Sequence, residues 1–173
     1  HTRDRRQRQM CIRDSNKPYL FIGNHRDITL DSALCNFSLD SVGLETTYNA
    51  IGDNLVSVGW MGDLLRLNKS FVISRSGDTK KEIYSNLLKA SEFIKKTLHS
   101  GKHVWIAQKQ GRSKDGLDKT DPAVLKMLHI ALRKECKFEE LTDYYNIVPQ
   151  SVSYEIDPLA KEKGMHLLSL IHI

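Results

Sequence analysis

The chain has 173 residues, 40% of them hydrophobic and 27% charged, with a formal net charge of +5. That length supports one domain with a core of ordinary size, and no apolar run is long enough to cross a bilayer. Three cysteines with no Cys-x-x-Cys spacing and no nearby histidine pair exclude a disulfide framework and a zinc site.

The charge is unevenly spread. Residues 1–15 carry five arginines and two aspartates, so without them the net charge falls from +5 to +2. Arg5 to Ser15 reads like a translated transposase-type sequencing adapter, and Leu168 to Ile173 like its complementary end. The chain is therefore expected to divide into a non-native tail over 1–15, a domain over 16–167 that is incomplete at both ends, and a second non-native tail over 168–173. The other reading of residues 1–15 is a basic arm for nucleic acid or anionic lipid. With the tail set aside, no nucleic-acid partner is expected. Cys35 and Cys136 remain as isolated thiols, which points to a reducing, cytosol-facing setting.

Lys17-Pro18 leads into a predicted strand at about Tyr19–Gly23, then a histidine-bearing loop and a helix over about Leu30–Leu39. A short strand is predicted over Glu45–Ala50. Leu55, Val58, Met61 and Leu65 have helical spacing within 54–65. Ser70–Ser74 reads as a buried strand. Ser76-Gly77-Asp78 is expected to break the chain and cap a long helix over about Thr79–Ser100, with Ile83, Leu87, Leu88, Phe93 and Ile94 inward and Gly101 as its stop. His103–Ala107 is the next strand, followed by a polar loop over 108–120. Asp121-Pro122 opens a helix to about Lys134, and Tyr145–Tyr154 is the last strand. Strands alternating with helices through short loops predict an α/β layer fold.

The first strand ends in Gly23-Asn24-His25, which sets an imidazole at a strand's carboxyl end, where open α/β sheets place their sites. A nearby carboxylate, Asp27 or Asp31, then holds the ring in one tautomer for general-base work. Arg75 closes the Phe71-Val72-Ile73-Ser74 strand, and a guanidinium there can grip a phosphate through two hydrogen bonds. Gly111 allows a tight turn near substrate, and Arg112 adds a second cation to the same pocket. Lys109 and Lys114 add positive potential or form a solvated loop.

Four blocks in order, Asn24-His25 with its aspartates, Phe71 to Arg75, Gln110-Gly111-Arg112-Ser113 and Val148-Pro149, together resemble the four motifs of the glycerolipid acyltransferases. The likeness spans Tyr19 to Pro158, and Lys114-Asp115-Gly116 with Tyr154-Glu155-Ile156-Asp157-Pro158 resembles a bacterial subgroup. It implies a glycerol-3-phosphate acyltransferase-like α/β fold, with a mixed, mostly parallel sheet flanked by helices. It also implies that His25 is the general base. The family's usual spacing leaves four residues between histidine and aspartate, whereas here five precede Asp31 and one precedes Asp27. Asp31 is favoured if the helix start carries a one-residue bulge; Asp27 is the alternative, or else a helix cap. Arg26 reads either as a phosphate contact or as a surface arginine. Asn68 replaces a glycine often found before the second motif, and Gln110 replaces a glutamate in the third, keeping hydrogen bonds but not the charge. Pro149 corresponds to a position that shapes the acyl-chain side, or is a strand-edge proline.

The implied reaction moves a fatty acyl group from acyl-CoA or acyl carrier protein to lysophosphatidic acid or glycerol 3-phosphate. It needs no metal and no cofactor beyond the thioester co-substrate. The implied setting is a membrane surface, at the cytoplasmic face of a bacterial inner membrane, reached peripherally or through an anchor that precedes Asn16. The rival reading is a non-catalytic domain of the same fold that binds anionic lipid headgroups, motivated by the late Asp31 and by Gln110. Other catalysts fit worse. A kinase loop needs asparagine where Ser32 stands, no Gly-x-Ser-x-Gly elbow is present, and no phosphate-binding Gly-x-x-x-x-Gly-Lys occurs.

Overall fold

A computed structural model describes residues 17–56, 59–114, 117–157 and 159–171. Residues 1–16, Ser57, Val58, Asp115, Gly116, Pro158 and the last two residues lie outside that set. Strands β1 (Leu20–Gly23), β2 (Tyr48–Gly52), β3 (Ser70–Ile73), β4 (Val104–Ala107) and β5 (Ile147–Gln150) form a sheet in the order β3-β2-β4-β1-β5. Every pairing among the described residues is parallel. Parallel neighbours require crossovers, which carry helices α1 (Leu30–Asp40), α2 (Gly59–Leu67), α3 (Lys80–His99) and α4 (Pro122–Ile130). Short α5 (Leu141–Tyr144) precedes β5, and α6 (Ala160–Ile171) follows it. The position expected to divide domain from C-terminal tail, 167/168, falls inside α6. Among the described residues no helix is long and apolar enough to cross a membrane.

Strand alternation sorts the core into two layers. Leu20, Val104 and Ile106 face α3 and α4, meeting Ile94, Leu98, Val124 and Leu128 in the larger cluster. Tyr19, Phe21 and Trp105 face the other way and pack with Cys35 and Leu39 of α1. Both faces of the sheet are thus covered, as a parallel sheet requires.

Several element limits differ from the sequence reading, each with a local cause. β2 starts at Tyr48, because the Thr47 amide and hydroxyl both bond to Asn36 Oδ1 (2.8 Å each) and the Glu45 side chain reaches Lys102. The helix expected over 54–65 is a 3₁₀ turn, Asp53–Leu55, followed by α2. Asp53 there accepts hydrogen bonds from Ser74 and Ser76, which hold the turn against the end of β3. The cap of α3 is Thr79, whose hydroxyl accepts from the Glu82 amide at 3.2 Å, one residue later than the Ser76 to Asp78 expectation. The buried stripe of α3 is Ala90, Ser91, Ile94, Thr97 and Leu98. Phe93 stays partly exposed and packs on Phe71 at 4.6 Å. Gly101 does end α3, at φ +82°, with Lys102 N bonded to Thr97 O at 3.2 Å. Asp121 caps α4 with Pro122 in its first turn, but the helix stops at Ile130 and gives way to turns.

Gly23 is the residue through which this packing touches the site. A Cβ there would lie 2.8 Å from Cζ2 of Trp105, on the neighbouring strand. The indole cannot give way readily, being 4% exposed and bonded through Nε1 to Gln150. Gly23→Ala is expected to destabilise the fold by about 1–3 kcal/mol through overpacking, as read by urea unfolding. An unchanged midpoint would mean that the β1–β4 contact is looser than these distances indicate.

Candidate active site

A parallel sheet gathers its carboxyl ends on one edge, and the main candidate groups leave that edge: His25 after β1, Arg75 after β3, Gln110 to Arg112 after β4. Because β1 and β4 are neighbours, their loops interlock. Gln108 N donates to Gly23 O and Ser113 N to His25 O, both at 2.7 Å.

Asp31 sits in the first turn of α1 with no exposed surface. Its Oδ2 lies 3.2 Å from His25 Nδ1 and also accepts the amides of Arg26 (2.7 Å) and Asp27 (2.9 Å). The loop is therefore wrapped around one carboxylate oxygen, which is how a pair with five intervening residues still meets. Burial, the strongest single influence, would raise the Asp31 pKa. The bonds from His25, from the Asp27 and Arg26 amides and from Tyr154 outweigh it and hold the pKa below its ordinary value. An ionised Asp31 fixes the proton of His25 on Nδ1 and leaves Nε2 as the basic atom.

Asp27 does not face His25. Its Oδ1 accepts the Thr29 and Leu30 amides, both at 2.9 Å, and so closes the start of α1. Arg26 is not part of the cleft lining; its guanidinium forms an ion pair with Asp118 at 2.7 Å. Pro149 is exposed on edge strand β5, opposite Ile22, and also stands outside the cleft. A proline on an edge strand costs the ladder little.

His25 opens into a cleft of about 530 Å³ that Arg75, Lys109, Gln110, Gly111 and Arg112 also line. Arg75 and Arg112, 37 positions apart, thus share one cavity with the imidazole. Gly111 adopts φ +73°, the left-handed turn that returns the loop to the cleft. Arg75 Nη1 donates to Gln110 Oε1 at 3.0 Å, a neutral partner that leaves the arginine's charge uncancelled by this contact. Lys109, Lys114 and Lys163 bring the lysines and arginines on the wall to five, against Asp53 and Glu162, so the cleft favours an anion. Among the described residues no group of three or more His, Cys, Asp or Glu side chains is arranged to hold a metal ion.

Three residues of this neighbourhood escaped the sequence reading as site residues. Asn24 clamps Val152, donating from Nδ2 to its carbonyl (2.9 Å) and accepting its amide at Oδ1 (2.8 Å). Tyr154 donates its hydroxyl to Asp31 Oδ1 at 2.9 Å. Lys163 of α6, 8% exposed, donates to the Arg26 carbonyl at 2.7 Å and pairs with Asp157. No local pattern marks the Asn24–Val152, Tyr154–Asp31 and Lys163–Arg26 contacts, since each joins residues more than a hundred positions apart.

A model of the family described as Acyltransferase matches residues 2–139 of the chain. No curated protein matches it.

Proposed function

The chain belongs to the Acyltransferase family, and from that premise we propose that it transfers a fatty acyl group from a thioester to a phosphorylated glycerol. The donor is acyl-CoA or acyl carrier protein, and the acceptor lysophosphatidic acid or glycerol 3-phosphate. The enzyme is then of the 1-acylglycerol-3-phosphate O-acyltransferase type and serves phospholipid biosynthesis. The observation that carries this reading is the His25–Asp31 pair opening on a cleft walled by Arg75 and Arg112.

In the proposed reaction the acceptor hydroxyl gives its proton to His25 Nε2 as its oxygen bonds to the thioester carbonyl carbon. Asp31, ionised and buried, stabilises the imidazolium that forms. The tetrahedral adduct expels the thiolate, and the imidazolium returns the proton to sulfur. An ester and a free thiol leave, and His25 is neutral again. Arg75 and Arg112 bind the acceptor phosphate, and the neutral Gln110 orients Arg75 through their hydrogen bond. Because a lysophospholipid resides in a bilayer, the proposed workplace is the cytoplasmic face of a bacterial inner membrane, reached peripherally or through an anchor.

The test is thiol release. Free coenzyme A should appear from acyl-CoA only when lysophosphatidic acid or glycerol 3-phosphate is present. Binding of either acceptor with no thiol released would instead favour the headgroup-binding reading. Arg75→Ala and Arg112→Ala should each raise KM for the acceptor about tenfold or more with kcat changed much less, since each supplies ground-state binding. A fall confined to kcat, with KM constant, would remove both arginines from the phosphate site.

A further inference from the structure

The two oxygens of Asp31 are used differently. Oδ2 serves the His25 ring and two amides of its own loop. Oδ1 accepts a hydroxyl that arrives from the far side of the sequence, that of Tyr154, at 2.9 Å. We propose that Tyr154 is a positioning residue that sets the basicity of His25 through Asp31. The inference rests on the reading of His25 as the base.

Three observations bear on it. First, the Asp31 side chain is 1% exposed, so bulk water does not compete with the phenol for this carboxylate. A donor at a desolvated carboxylate draws off more charge than it would in water. Second, the chain on both sides of Tyr154 is tied to the His25 loop itself. Two residues upstream, Val152 is clamped by Asn24, which directly precedes His25. Downstream, Asp157 pairs with Lys163, whose ammonium holds the carbonyl of Arg26, the residue after His25. The hydroxyl is thus held from both directions. Third, burial and the bond to Asp31 push the Tyr154 phenol above its ordinary value, so it stays a donor wherever an imidazole titrates.

The consequence has a definite sign. With the phenol on Oδ1, the carboxylate charge is shared, and Oδ2 attracts an imidazolium less strongly. Without the hydroxyl the charge falls more fully on His25, the imidazolium gains, and the ring titrates at higher pH. The other charges around the pair are untouched by the loss of one hydroxyl. They include the Arg26–Asp118 ion pair beside His25, Asp27 on the same loop, Asp157 beyond β5, Glu162, Lys163 and His166 of α6, and Arg112 after β4.

The experiment follows the His25 ring by NMR titration of the full chain without substrate, its signal assigned with His25→Gln and told from that of His166 with His166→Gln. Tyr154→Phe should raise the His25 midpoint by about half a pH unit. The acid limb of kcat/KM for thiol release should move up by the same amount, with KM within about twofold. Site-specific 3-fluorotyrosine at 154, a stronger donor, should move the midpoint the other way. Tyr144→Phe, whose hydroxyl serves Glu135, should leave it unmoved. A tether without electrostatic effect would lower the melting temperature and leave the His25 midpoint in place. Unchanged midpoints in both Tyr154 variants overturn the proposal. Shifted midpoints in a protein that releases no thiol uphold the coupling and bring down the acyltransferase reading instead.

Discussion

Replacing His25 by alanine is expected to lower acyl transfer by at least about a hundredfold while acceptor binding stays near its original strength. General-base catalysis contributes about a hundred- to ten-thousand-fold, and no second imidazole is tied to a buried carboxylate among the described residues. The loop should keep its course in the variant, because the His25 carbonyl that receives Ser113 N, at 2.7 Å, belongs to the backbone. The Arg26 and Asp27 amides still have Asp31 to bind. The loss therefore belongs in kcat, with acceptor affinity measured separately by calorimetry. Wild-type turnover in His25→Ala would end the reading of His25 as the general base, whatever the cleft binds.

The parts of this site that were legible in the sequence are those where local pattern and fold agree. Tyr19 to Gly23 and His103 to Ala107 alternate into two core layers, so the strand ends, and with them His25 and Gln110 to Arg112, could be placed from apolar runs alone. Parallel order then brings Arg75 to the same cavity. The helix start was less legible. Spacing alone left Asp27 and Asp31 open, and what separates them is how backbone amides are shared. Asp27 satisfies Thr29 and Leu30, whereas Asp31 collects Arg26, Asp27 and His25. Arg26 showed the reverse problem. A histidine-arginine pair suggests a phosphate contact, yet Asp118, 92 positions away, takes the guanidinium. Tyr154 and Lys163 were hidden for the same reason, since a contact across 123 or 137 residues leaves no spacing to read. The misplaced helix over 54–65 shows periodicity overridden by side-chain chemistry, since Asp53 is claimed by two serines and fixes a turn where apolar spacing alone suggests a helix.

Removing the Asp31 side chain is expected to harm the fold more than removing His25. Asp31→Ala leaves the Arg26 and Asp27 amides and the Tyr154 hydroxyl without their acceptor, around a position with no exposed surface. Buried donors left unsatisfied cost about 1–3 kcal/mol each, so a loss of about 3 kcal/mol or more is expected from urea unfolding at neutral pH. The loss should shrink in acid. The folded-state pKa of Asp31 lies below its ordinary 3.8, so its charge-linked contribution is fully present above that value and is lost as pH falls through the lowered one. The gap between wild type and Asp31→Ala should therefore narrow below pH 3.8 without closing, because the protonated carboxyl still accepts hydrogen bonds that alanine cannot. Asp31→Asn behaves differently, because an amide offers one acceptor and one donor. Three donors meet at Oδ2 and a rotatable phenol at Oδ1, so the asparagine oxygen belongs on the His25 side, with its NH₂ toward Tyr154. That orientation keeps the His25 proton on Nδ1 and loses only the charge. Thiol release should then fall about ten- to a hundredfold, less than in His25→Ala, with stability close to wild type. The flipped amide would put the proton on Nε2 and drive activity down to the His25→Ala level. Asp27→Asn supplies the comparison, since asparagine closes a helix start about as well as aspartate and should leave turnover nearly unchanged. If Asp27→Asn loses more activity than Asp31→Asn, the aspartate paired here with His25 is the wrong one.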